Sequence, residues 1–349
     1  MIPAAPSSRQ SARRHDDEGS VGDLRQPRWQ QLLRDTVRDP RELLSMLGLD
    51  ELASRISDAA SVQFPLRVPR GFVTRMRHGD RHDPLLRQVL PIEDENRIVP
   101  GFSLDAVGDA AARSANGVLQ KYQGRALLVA TGSCAIHCRY CFRRHFPYSG
   151  DTAARDGWRD AIDAIRSDAT IDEVILSGGD PLSLSTPKLA ELTDTLSGIP
   201  HIKRLRIHSR LPVVVPERID ASLLAWLERL PWPTVMVIHA NHANEFDASV
   251  DAALALLRTR RISVLNQSVL LRGVNDSVDA LAALSERSHA AGALPYYLHQ
   301  LDRVAGTAHF EVTDERARAL HATLATRLSG YLVPRLVREI PGDPGKRPL

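Results

Sequence analysis

Six short runs of branched and apolar residues, at 126–131, 173–177, 204–208, 234–239, 262–269 and 295–299, alternate with amphipathic stretches at 158–166, 187–196, 221–230, 250–259, 278–290 and 314–328. This alternation constrains the fold more than any other feature. A strand, a helix and a further strand return to one sheet in parallel through a right-handed crossover. Six such units predict an α/β chain folded as an open barrel, that is a partial (β/α)6 barrel, or as a complete one, with a seventh short strand expected near 331–337. In such folds the chemistry gathers at the C-terminal ends of the strands.

Ahead of the barrel, apolar residues at helical spacing (Leu32, Leu33, Val37, Leu43, Leu44, Leu47, Leu52, Ile56) are interrupted by Asp39-Pro40 and Gly48 and predict short packed helices. The proline-punctuated stretch 62–101 reads as an extended or irregular wrap. The expected organisation is a disordered N-terminus over 1–26, a helical extension over 27–104, a barrel over 105–330 and a C-terminal segment over 331–349. The 45 basic and 42 acidic residues are scattered, so nothing calls for nucleic acid. No apolar run has the length of a membrane span and no secretory core opens the chain, so a cytoplasmic protein with no membrane role is expected.

The chain's three cysteines, Cys134, Cys138 and Cys141, all follow the first predicted strand in a CxxxCxxC loop. Such a loop supplies three thiolates to a 4Fe-4S cluster and leaves one iron open to a small molecule. Zinc, with His137 or His145 as fourth ligand, is the other metal reading, but no second chelating pair exists. A disulfide would leave one thiol over, and the absence of cysteine elsewhere suits a reducing compartment. After the second predicted strand comes Gly178-Gly179-Asp180, at the same rim as the cysteines.

The cysteine spacing, with Tyr140 just before the last cysteine, resembles the signature of radical S-adenosylmethionine (SAM) enzymes, in which SAM chelates the open iron. Gly178, Gly179 and Asp180 resemble the Gly-Gly-Glu element that receives the amino group of SAM in those enzymes, with Asp180 for Glu. Tyr140 is then expected near the adenine. Further motifs narrow the likeness: Lys121-Tyr-Gln-Gly-Arg125, the run from Cys138 to Phe146, Arg206 to Pro216, His239 to Glu245, Asn266 to Asp276, and Gly342-Asp-Pro-Gly-Lys346. Together they resemble the lysine 2,3-aminomutase family, and within it the branch that acts in β-lysylation of translation elongation factor P.

That resemblance implies a second cofactor, pyridoxal 5′-phosphate (PLP), carried as a Schiff base on Lys346, with Arg125 and Lys121 as basic residues for its phosphate. Arg143 corresponds to the arginine that holds the substrate carboxylate. Asp302 stands at the first of two aspartate positions that hold the substrate's side-chain ammonium, and Glu339 occupies the second, a departure in length. Longer members continue into a zinc-binding, assembly-forming segment for which this sequence has no cysteines, so tetramers of that kind are not expected. The implied function is isomerisation of (S)-α-lysine to (R)-β-lysine for attachment to elongation factor P. The implied partners are L-lysine, an electron donor protein, and elongation factor P with its lysyl ligase. A metabolic aminomutase making free β-lysine and a non-catalytic zinc-stabilised module are the alternatives.

Overall fold

Every expected strand forms, and the sheet they build is longer than the sequence suggested at both ends. The computed structural model describes residues 27–148 and 158–349, so the stretch expected to be disordered, 1–26, lies outside the described residues. Ten strands make one sheet in chain order: β1 (Arg113–Ala115), β2 (Val118–Tyr122), β3 (Arg125–Thr131), β4 (Glu173–Gly178), β5 (Arg204–Ser209), β6 (Thr234–His239), β7 (Ser263–Val269), β8 (Leu294–His299), β9 (Arg335–Arg338) and β10 (Arg347–Pro348). From β3 to β9 each strand pairs in parallel with the next. Antiparallel pairs extend the sheet at either end, β1–β2–β3 before the barrel and β9–β10 after it. The C-terminal segment is thus part of the barrel wall.

Short helices α1 (Arg28–Arg34), α2 (Pro40–Met46), α3 (Asp58–Gln63), α4 (Arg70–Val73) and α5 (Pro84–Arg87) make up the extension, so 62–101 is more helical than its prolines suggested. Pro40 and Pro84 sit in the first turns of their helices, where a missing N–H costs nothing. The crossovers are α6 (Arg159–Ser167), α7 (Thr186–Ser197), the short α8 (Leu211–Val214) with α9 (Ala221–Arg229), α10 (Ala248–Thr259), α11 (Val278–Ala291) and α12 (Asp314–Arg327). Asp220, Asp247, Ser277 and Thr313 each accept a backbone N–H in the first turn of α9, α10, α11 and α12 respectively.

The period-two pattern of the strands decides what faces inward. On β5, Leu205 and Ile207 are buried in the apolar core, whereas Arg206 and His208 line the barrel's cavity. Arg125 and Leu127 on β3 and Tyr297 and His299 on β8 line it in the same alternation. The largest apolar core joins Trp29, Leu43, Phe72 and Leu85 of the extension to Leu128, Leu176 and Ile207 of the barrel. Arg75 ties the two further, donating to Asp247 at 2.7 Å and to the Glu245 carbonyl at 2.9 Å. No helix among the described residues is long and apolar enough to cross a membrane.

Candidate active site

One cavity of 290 Å³ occupies the barrel, and all thirteen residues singled out in the sequence line it. The cysteine loop forms one wall. It is held by the extension: the N–H groups of His137 and Arg139 donate to the carbonyls of Arg67 (3.0 Å) and Gln88 (2.8 Å). Behind it, Glu95 accepts from Arg139 Nε at 2.8 Å and from Arg144 Nη2 at 2.7 Å, and none of the three side chains is more than 1% exposed. Both histidines weighed as zinc ligands are engaged elsewhere. His137 stacks on Phe64 and contacts the Pro65 carbonyl at 2.7 Å, and His145 contacts the Ala305 carbonyl at 3.1 Å. Burial pushes the Cys134 thiol well up and that of Cys141 to about 11. Cys138 Sγ accepts from Arg210 Nη1 at 2.6 Å, and Arg210 is braced by Glu245 at 2.9 Å and Gln88 at 2.8 Å. Three thiols arranged along one loop suit a cluster that takes three sulfur donors from the protein.

Gly178 and Gly179 are glycines because of this loop. A Cβ on Gly178, at φ +119°, would lie 2.5 Å from the Thr131 carbonyl oxygen, and one on Gly179 would lie 2.5 Å from that of Ser133. Their close approach lets Gly179 N–H and Asp180 N–H donate to those two carbonyls at 2.7 and 2.8 Å. The Asp180 side chain accepts from Ser209 Oγ (2.7 Å) and from the N–H groups of Leu182 (3.0 Å), Arg210 (2.7 Å) and Leu211 (3.1 Å). It therefore clamps the ends of β4 and β5, and the hydrogen bond expected from a SAM amino group would be a fifth on the same carboxylate. Tyr140 lies in the cavity wall edge-on to Phe310, 6.3 Å between centroids.

Opposite the cysteines, charged groups form a continuous chain. Arg143 Nε donates to Asp109 Oδ2 at 2.7 Å, and Lys121 Nζ meets Asp109 Oδ1 at 2.7 Å, the Val107 carbonyl at 2.8 Å and Glu339 Oε1 at 3.2 Å. The other Glu339 oxygen accepts from Lys346 Nζ. Burial alone would raise the Glu339 carboxyl, but Lys346 and then Lys121 outweigh it and hold it at about 2. Asp302 has no side-chain partner among the described residues, and burial, reinforced by Glu339, raises it to about 7. Lys346 Nζ stands 6.0 Å from the Tyr297 ring centre. His208, His239 and His299 are held neutral by burial, the last two at about 3.

Sequence reasoning gave no role to Asp109, Arg206, His208, Arg210 or Glu245. Arg206, His208 and Arg210 lie inside a motif that carried the resemblance, and Glu245 closes another. Asp109 had no local signal, because it lies 34 positions before Arg143 and the separation hides their contact.

Three sulfur donors after the first parallel strand, at the rim of an incompletely closed barrel, define a radical SAM enzyme. The family model of a 4Fe-4S single cluster domain matches residues 123–202. The chain is 49% identical to the L-lysine 2,3-aminomutase of Escherichia coli, over 92% of this chain and 94% of that one. It is 44% identical to that of Haemophilus influenzae (91% and 94%) and 30% identical to that of Clostridium subterminale (97% and 81%). Its fold is also similar to a radical SAM methyltransferase from Sphaerobacter thermophilus, with a TM-score of 0.44 and 17% identity, over 63% of this chain and 68% of that one. The chain belongs to the lysine 2,3-aminomutase family, a family of isomerases.

Proposed function

We propose that this protein is a PLP-dependent radical SAM aminomutase that converts (S)-α-lysine to (R)-β-lysine for the β-lysylation of elongation factor P. The observation that carries this reading is the convergence of Cys134, Cys138, Cys141, Arg143, Asp302 and Lys346 on one cavity. The three thiols suit a site-differentiated cluster. A primary amine beside an aromatic ring, with unpaired guanidinium N–H groups at Arg125 and Arg206, suits a phosphorylated aldehyde.

The cluster with SAM would supply a carbon radical that abstracts substrate hydrogen, and PLP a conjugated nitrogen that can migrate between carbons. The chain's own work is orientation. Arg143 keeps its Nη1 within 3.3 Å of Ser177 Oγ while Asp109 fixes its Nε, so its remaining edge can grip a carboxylate. Asp302, alone and partly buried, accepts a distant ammonium. Glu339, placed by sequence at the second ammonium position, pairs with Lys346 and Lys121, so one acid rather than two faces the substrate's far end. Lys121, hydrogen-bonded to the Val107 carbonyl and Glu339 and ion-paired with Asp109, positions both acids. With substrate fixed at both ends, the α- and β-carbons are held where the radical forms.

The assay that tests this reading is anaerobic: reconstituted protein, SAM, PLP, a strong reductant and either free α-lysine or α-lysyl elongation factor P. Formation of (R)-β-lysine, followed by its appearance on the factor when the lysyl ligase is added, is expected. β-Lysine that forms freely but is never transferred would favour the metabolic role.

A further inference from the structure

We propose that Arg206, rather than Lys121, completes with Arg125 the cradle for the cofactor phosphate; this rests on the reading that PLP binds at Lys346. Arg125, the first residue of β3, and Arg206, on β5, both point into the cavity and flank Glu173, the first residue of β4. Arg206 gives one hydrogen bond to that carboxylate, from Nη2 at 2.8 Å. Among the described residues, Arg125 meets only the face of Tyr122, 4.8 Å from its centre. The Nε–H of each is, among the described residues, buried without an acceptor, and Nε2 of His208, the next cavity-facing residue after Arg206, is buried without a partner of either kind. A donor buried without an acceptor costs about 1–3 kcal/mol, so bare donors on one cavity point to an acceptor from outside the chain.

The charge balance agrees. Two guanidiniums face one carboxylate, leaving room for an anion, and guanidinium forks match the oxygens of a phosphate monoester. Lys121 serves less well, because it already gives hydrogen bonds to the Val107 carbonyl and Glu339 and pairs with Asp109 at 2.7 Å. A phosphate drawing it away would take one of two cations from each of Asp109 and Glu339. The same neighbourhood supplies an aromatic flank in Tyr297, which lines the cavity.

The test compares PLP with pyridoxal, which has the aldehyde but no phosphate. Both are titrated by absorbance into wild-type protein and into Arg206→Gln, Arg206→Lys and Lys121→Gln, with iron content as a check on the fold. Arg206→Gln should weaken PLP about tenfold or more, as expected for loss of a charged hydrogen bond, and leave pyridoxal unchanged. Arg206→Lys should recover part of the difference and reports the same ratio if the Gln variant fails to fold. Lys121→Gln should shift both ligands alike, since it acts through Glu339. Equal weakening of both by Arg206→Gln, or none, overturns the assignment while leaving PLP at Lys346 intact. If wild-type protein treated with PLP and borohydride carries no label on Lys346, the underlying reading fails, and this assignment with it.

Discussion

The two walls of the cavity are held by opposite means. On the cysteine wall, Arg139, Arg144 and Arg210 are paired with Glu95 and Glu245, and no side chain in these pairs is more than 7% exposed. The loop is clamped from behind by the extension and from the side by Gly178, Gly179 and Asp180. On the lysine wall, Lys346 is 24% exposed and hangs between β9 and the two-residue β10, tied by its bond to Glu339. Ligands of a metal cluster need fixed positions before the metal arrives. A lysine that must bond to a cofactor and let go needs reach. The rigid wall borrows its rigidity from the N-terminal extension, which gives that extension a task in cluster retention.

The sharpest way to break the contrast is to remove one chemical group from each wall. Cys138→Ala should abolish the broad absorption near 400 nm and SAM cleavage together, whereas Lys346→Ala should keep both and lose only amino migration. Persistent β-lysine from the second variant would show that the lysine has been misassigned.

Next in size is Glu95→Ala. It leaves two fully buried guanidiniums without their acid, which costs about 3–5 kcal/mol in buried networks. Denaturant melts should show it, along with lower iron content. Removing Lys346 should change the melt by about 1 kcal/mol at most, since Glu339 keeps Lys121. Equal losses from the two variants would erase the distinction between the walls.

Asp302→Asn should raise KM for lysine about tenfold to a hundredfold, with kcat changed less, as for loss of a charged hydrogen bond. A purely structural Asp302 would leave KM where it is.

The smallest effect is on pH dependence. Asp302, with Glu339, Lys346, Lys121 and Asp109 as its charged neighbours, is raised to about 7 by burial and then by Glu339. Below that value it holds a proton and cannot pair with an ammonium; above it, the charge is present. Apparent KM for lysine should therefore climb as pH falls through about 7, and Asp302→Asn should flatten the climb. An unchanged slope in the variant would place the titration elsewhere.

Continuous runs of apolar, branched residues made the parallel strands legible, because strands buried on both faces lose their polar alternation. The cysteine rim followed from the strand it trails. Strands β1 and β2 were missed although Asn116-Gly117, with Gly117 at φ +71°, is a hairpin signal: β1 is three residues long and half exposed, too short for a pattern. Site residues carried by motifs all reached the cavity. What the sequence could not convey was pairing. Glu339 as a partner of lysines rather than of substrate, Asp180 as a clamp, and Asp109 between Arg143 and Lys121 depend on contacts between distant segments.

The central claim is that one cavity joins an open-cornered cluster to a PLP-bearing lysine. Its most direct measurement is borohydride reduction of the anaerobically reconstituted protein followed by peptide mass analysis, with iron and sulfide counted on the same sample. The account predicts a pyridoxyl label on Lys346 in molecules that carry four irons. A label elsewhere, or iron-free protein that takes up zinc in its place, would contradict it.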